Sequence, residues 1–110
     1  MERAFGFLPL NRREPKPRRR GLTEIRGPYY TPLGRRMLED LLETMGEWID
    51  SLKFAGGSFA LMPRAAVREL IELAHRYDVR VSTGGFLERV LLWGPEAVDR
   101  AIAECRDLGF

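Results

Sequence analysis

The sequence predicts an α/β fold built from parallel strand–helix units. Strand-like and helix-like stretches alternate in the order strand, helix, three times over. The helical patterns between the strands, roughly 10–15 residues each, are long enough for right-handed crossovers between parallel neighbours. Each strand also runs into a turn that carries glycine or polar groups, which places chemistry on the face formed by the carboxyl ends of the strands.

Residues 1–20 hold seven basic residues against two acids, and Pro15 and Pro17 fall inside the charge run. Proline removes a backbone donor and breaks a helix, so this stretch is expected to be a basic, disordered lead-in, with the folded domain over 21–110. Leu22 to Arg26 alternates as a strand would, and Gly27-Pro28-Tyr29-Tyr30 ends it. Thr31 followed by Pro32 suits a helix start, with a hydroxyl to cap free amides and a proline whose missing N–H costs nothing there. Leu33, Met37, Leu38, Leu41, Leu42 and Met45 then recur at helical spacing, up to Gly46.

A second strand is expected over Trp48 to Phe54, followed by the turn Gly56-Gly57-Ser58. Pro63 opens the next helix, with Val67, Leu70, Ile71 and Ala74 as its buried stripe and His75, the only histidine, in its last turn. There a helix dipole and solvent account for an imidazole without any catalytic role. The third strand is Val79 to Thr83, and Gly84-Gly85 is its turn. Phe86 to Trp93 reads as helical, Gly94-Pro95 breaks it, and a last helix runs to Leu108 with Val98, Ile102 and Cys105 on one side. Gly109-Phe110 looks like the approach to a fourth strand.

Composition narrows the function. One hundred and ten residues make a single domain at most. No run of about 18 apolar residues exists, so no membrane-spanning helix is expected. The single cysteine cannot close an internal disulfide and suits a core position in a reducing, cytoplasmic setting. Beyond residue 20 the chain has 11 basic and 14 acidic residues, so the folded body is mildly acidic and the basic pI belongs to the tail. The charge run Arg12 to Arg20 within it has no interleaved aromatics and no accompanying fold motif, which argues against nucleic-acid binding. There is no G-x-G-x-x-G, no G-x-x-x-x-G-K-[ST], no cysteine–histidine metal spacing and no triad that one histidine could complete.

The informative residue is Lys53. Arginine supplies 16 of the 18 basic residues, and Lys53 is the only lysine after residue 16. An ammonium is a compact charge suited to phosphate or carboxylate, and unlike a guanidinium it can be tuned to exchange a proton. The plainer alternative is a lysine that snorkels from a strand end into a surface salt bridge. Gly56-Gly57-Ser58 and Ser82-Thr83-Gly84-Gly85 bring backbone amides and hydroxyls to strand ends, and consecutive uncrowded amides make anion-binding concavities. With Lys53 and Arg26 they suit a substrate bearing phosphate or carboxylate. Glu24 and Glu88 are the acids expected nearest that face, as candidates to hold Mg²⁺ or to orient Lys53.

At Gly21-Leu22-Thr23, at Leu52 to Ser58, at Val81 to Gly85 and at Glu104 to Phe110, the sequence resembles the phosphosulfolactate synthase family, which includes the plant heat-stress-associated proteins. The resemblance spans about residues 20–110. It implies a (β/α)₈ barrel, of which the chain would supply the first three units and stop before or at strand four. It also implies Mg²⁺-dependent addition of sulfite to phosphoenolpyruvate, giving (2R)-phospho-3-sulfolactate in coenzyme M biosynthesis. On this likeness Lys53, Arg26, Gly56, Gly57, Ser58, Thr83, Gly84 and Gly85 would line the phosphoenolpyruvate site. The family's acid lysine falls on a later strand, past Phe110, which leaves Lys53 as an electrostatic anchor. The segment Glu24 to Tyr30 is closer to the bacterial and plant branch than to the methane-producing archaeal enzymes. Since an eight-unit barrel takes about 250 residues, the chain is expected to be an N-terminal piece, inactive alone, of a protein that is a homo-oligomer at full length. The alternative within the resemblance is a non-catalytic, stress-associated barrel protein that acts through protein contacts.

Overall fold

The computed structural model describes residues 2–28 and 31–110. It is an α/β structure with three parallel strands, β1 (Glu24–Arg26), β2 (Ser51–Lys53) and β3 (Arg80–Ser82), in spatial order β1-β2-β3. The helices are α1 (Arg35–Met45), α2 (Arg64–Arg76), α3 (Phe86–Val90) and α4 (Pro95–Leu108). The register aligns Glu24, Ser51 and Arg80 at one end of the sheet and Arg26, Lys53 and Ser82 at the other. Between these rows Leu52 and Val81 are buried, and the core cluster joins them to Leu38, Leu42, Val67 and Ile71. Strand alternation therefore sends the aliphatic middle residues toward the helices and leaves the polar rows on the other face.

The helices form where apolar side chains recur on one stripe. On α1, Leu38 and Leu42 are one turn apart and almost wholly buried, each worth about 2 kcal/mol by the area it removes from water. On α2 the stripe is Val67, Leu70, Ile71, Leu73 and Ala74, and His75 lies exposed in the last turn. Arg35 on α1 pairs with Glu69 on α2 at 2.7 Å. Arg64 on α2 pairs with Glu104 and Asp107 on α4. These pairs are about half exposed and contribute little beyond fixing orientation.

Several boundaries differ from expectation. Helix α1 begins at Arg35 behind Gly34, with no side-chain cap, and not at Thr31-Pro32. Leu33 is buried ahead of the helix, so the chain stays non-helical until that side chain is seated. Met37 and Met45 are about half exposed. Trp48 belongs to a 3-10 turn, Gly46–Trp48, and the strand after it is only three residues long. The stretch after Phe86 divides into α3 and a 3-10 turn, Leu91–Trp93. On α4, Ile102 is half exposed and only Leu108 is buried. Cys105 is half-buried; burial first, and then the Glu104 charge, push its thiol up from the ordinary value. Tyr29 and Tyr30, part of the expected break after β1, lie outside the described residues. No helix among the described residues is long and apolar enough to cross a membrane.

The described residues of the stretch expected as a disordered lead-in, 2–20, have no regular secondary structure, yet their basic side chains reach the amino ends of the strands. Arg18 and Arg13 each meet the Asp50 carboxylate at 2.9 Å, and Asp50 also accepts the Thr23 amide at 2.8 Å. Lys16 donates to the carbonyls of Gly46, Ile49 and Tyr77. An ammonium has three donors, and here all three meet main-chain acceptors at the bottom of the sheet.

Candidate anion site at the carboxyl ends of the strands

The end of the sheet that carries Arg26, Lys53 and Ser82 opens into a cavity of about 300 Å³. Its walls are Arg26, Lys53 to Gly57, Thr83 to Phe86, and Arg89. Ligand sites of roughly 300–1,000 Å³ hold small molecules, so the volume suits a compact substrate. Among the described residues three cations line it and no carboxylate does.

The strands set the geometry. Arg26 and Lys53 are register partners, and the Lys53 carbonyl accepts the Gly27 amide at 3.0 Å. The Phe54 amide donates to the Ser82 carbonyl at 3.0 Å, which carries the pairing one step past β2. The chain then turns through Gly56 and Gly57 at φ +67° and +70°, a left-handed conformation that glycine adopts without a steric penalty. Beneath this turn, Phe54, Phe59 and Phe110 pack with centroids 5.3–5.7 Å apart, and Phe86 meets Phe59 at 4.8 Å. Each such pair adds about 0.5–1.5 kcal/mol beyond its buried area and stiffens the cavity floor.

Gly84 fits the lysine closely. A methyl group at this position would lie 2.8 Å from Cδ and 2.9 Å from Cγ of Lys53, on a backbone held at φ +60°. The Lys53 stem therefore runs directly over the Gly84 backbone, held by a contact that only a bare α-carbon allows. Lys53 makes no ion pair among the described residues. Gly84→Ala is expected to cost about 1–2 kcal/mol of stability through its backbone conformation and to weaken phosphate binding several-fold by displacing the ammonium. Urea denaturation beside a phosphate titration checks both effects; unchanged phosphate affinity would mean that this contact does not position the lysine.

Of the residues expected at the site, Arg26, Lys53, Gly56, Gly57, Thr83, Gly84 and Gly85 come together around the one cavity. Ser58 lines an adjoining cavity of about 340 Å³ instead, with Leu61, Phe86, Arg89, Val90 and Trp93. Glu24 is at the other end of the sheet, where its carboxylate accepts from Ser51 Oγ at 3.0 Å; a two-residue offset along β1 separates it from Arg26. Glu88 is exposed on α3 and lines neither cavity. Among the described residues no group of three His, Cys, Asp or Glu could hold a metal. Glu24 and Glu88, the two carboxylates expected to hold Mg²⁺, therefore do not meet at this cavity. Arg89 is the site residue that the sequence reading lacks. Its signal is its place one turn into the helix that follows Gly84-Gly85.

A sequence model of the family described as (2R)-phospho-3-sulfolactate synthase (ComA) matches residues 11–110. The chain is 46% identical over 98 residues to Protein HEAT-STRESS-ASSOCIATED 32 of Arabidopsis thaliana, covering 89% of this chain and 34% of that protein. It is 32% identical over 107 residues to phosphosulfolactate synthase of Methanothermobacter thermautotrophicus, covering 97% of this chain and 40% of that one. The match to phosphosulfolactate synthase of Methanocaldococcus jannaschii is 32% over 91 residues, 83% of this chain and 35% of that one. The chain thus spans between about a third and two fifths of the length of these relatives.

Proposed function

The chain belongs to the (2R)-phospho-3-sulfolactate synthase family, and from that premise we propose that it supplies the phosphoenolpyruvate-binding face of a lyase that adds sulfite to phosphoenolpyruvate. The observation that carries this reading is the cavity in which Lys53, Arg26 and two glycine turns converge at the strand ends, with no carboxylate among its described lining residues. A substrate with both phosphate and carboxylate needs several cationic or amide donors within a small volume, and this cavity has them.

In the proposed reaction the sulfite sulfur bonds to the methylene carbon of phosphoenolpyruvate. The π pair moves onto the neighbouring carbon and its carboxylate as an enediolate, and a proton delivered to that carbon completes phosphosulfolactate. Lys53 and Arg26 bind the anionic groups and offset the charge that grows on the carboxylate. The proton donor is assigned outside this chain's residues, and Lys53 acts as an anchor. Mg²⁺ dependence is the part of this chemistry with no donor set among the described residues, so no step is assigned to the metal.

The test supplies phosphoenolpyruvate, sulfite and Mg²⁺ to this chain and to a form extended to the length of its relatives. The extended form is expected to consume both substrates in equal amounts without releasing free phosphate, and this chain alone to consume neither. A folded, extended protein that leaves both untouched overturns the proposal. That result would favour a non-catalytic barrel protein acting through protein contacts. The 46% identity to the heat-stress-associated protein and the exposure of Leu61, Leu91, Leu92 and Trp93 speak for that second reading.

A further inference from the structure

Arg89 is the cation at the site that the anchoring of phosphoenolpyruvate leaves without a role. It stands at the boundary of the two cavities and lines both, whereas Arg26 and Lys53 line the first alone. It is exposed and makes no ion pair or side-chain hydrogen bond among the described residues. Among the described residues it is also the one charged residue on the wall of the second cavity, whose remaining lining is glycine, Ser58 and apolar side chains.

The geometry points to Arg89 as the subsite for the second anion, the sulfite nucleophile; this assignment rests on the reaction proposed above. Two anions that must approach to bonding distance repel each other, and cations already engaged by a phosphate and a carboxylate offset that repulsion poorly. A separate guanidinium supplies the missing charge, and its planar fork grips an oxyanion through two parallel N–H donors. Because Arg89 also borders the first cavity, an anion held there is next to the phosphoenolpyruvate pocket.

The second cavity contains its own reporter, since Trp93 lines it with Arg89 and the chain has only one other tryptophan, Trp48. In a Trp48→Phe background, sulfite is titrated at constant ionic strength while Trp93 fluorescence is followed. The parent protein is expected to show a saturable change. Arg89→Gln should weaken it at least about tenfold, Arg89→Lys should fall between, and Lys53→Met should move it less than about threefold. Sulfite binding by Arg89→Gln within about threefold of the parent, or no saturable response in the parent at tens of millimolar sulfite, overturns the assignment. The two proposals fail separately. Arg89-dependent sulfite binding without consumption of phosphoenolpyruvate removes the reaction and leaves the oxyanion subsite. Consumption with an unchanged sulfite KM in Arg89→Gln removes the subsite and leaves the reaction.

Discussion

Asp50→Ala is expected to lower the free energy of unfolding by about 3–5 kcal/mol, the usual cost of leaving a buried charge without its partner. The Arg18 side chain is 4% exposed and that of Asp50 5%, so water cannot replace the lost carboxylate. Arg13 and the Thr23 amide lose the same acceptor. Against a total stability of about 5–15 kcal/mol, the loss should bring the thermal midpoint down by more than about 10 °C. Asp50→Asn, which keeps the shape and removes the charge, should fall between. Differential scanning calorimetry of the three proteins settles the matter, and an Asp50→Ala midpoint within a few degrees of wild type would remove Asp50 from this role.

The same site predicts a pH dependence. Burial alone would raise the Asp50 carboxyl, but the Thr23 amide, the Arg18 hydrogen bond and charge, and the Arg13 charge together hold it below the usual carboxylate range. A carboxyl depressed on folding contributes stability that is complete above its unfolded value, about 4, and that is lost as pH falls through its lower folded value. The stability gap between wild type and Asp50→Asn should therefore be constant at neutral pH and should shrink in acid below about pH 4.

Lys53→Met should have the largest functional effect. Methionine keeps an unbranched stem to lie over Gly84 while the ammonium disappears, so the fold should persist with a midpoint close to that of wild type. Removal of one preorganised donor from a charge-stabilising site typically costs about 10²–10³ in rate, and phosphoenolpyruvate affinity should fall at least about tenfold with it. Lys53→Arg should not restore either. The Cγ and Cδ of arginine can follow the same path over Gly84, but a planar guanidinium places its charge differently from an ammonium. Isothermal titration with phosphoenolpyruvate and steady-state kinetics of the extended protein measure the two effects. Full recovery by Lys53→Arg would reduce the residue to a generic positive charge.

The parts of this architecture that could be read from sequence are those with a local cause. Each strand runs into a glycine, Gly27, Gly56-Gly57 or Gly84-Gly85, so Arg26, Lys53 and the turns could be placed on one edge before any coordinates. Helix stripes such as Val67, Leu70, Ile71 and Ala74 follow from spacing alone. What sequence does not disclose is set by distant contacts. Nothing around Arg13 or Arg18 announces Asp50, 37 and 32 residues away; prolines and arginines in that stretch look like a linker. Glu24 was expected beside Arg26, but the polar face of β1 has two ends, and register with Ser51 decides which one a side chain serves. The Thr31-Pro32 start fails because the buried Leu33 holds the chain back. Ile102 fits the helical spacing yet is exposed, since spacing identifies a stripe without saying whether a neighbour covers all of it.

The ion pairs at the amino ends of the strands also decide how the protein meets a protease. Trypsin must draw an arginine side chain into its own pocket, and that of Arg18 is locked against Asp50, while Arg19 and Arg20 stand exposed. A nick at these later arginines would cut the covalent link between the leading segment and the domain. The severed segment would still be held by the Arg13 and Arg18 ion pairs and by the three carbonyls around Lys16. It would behave as a bound peptide, and its departure would be a dissociation with a measurable rate.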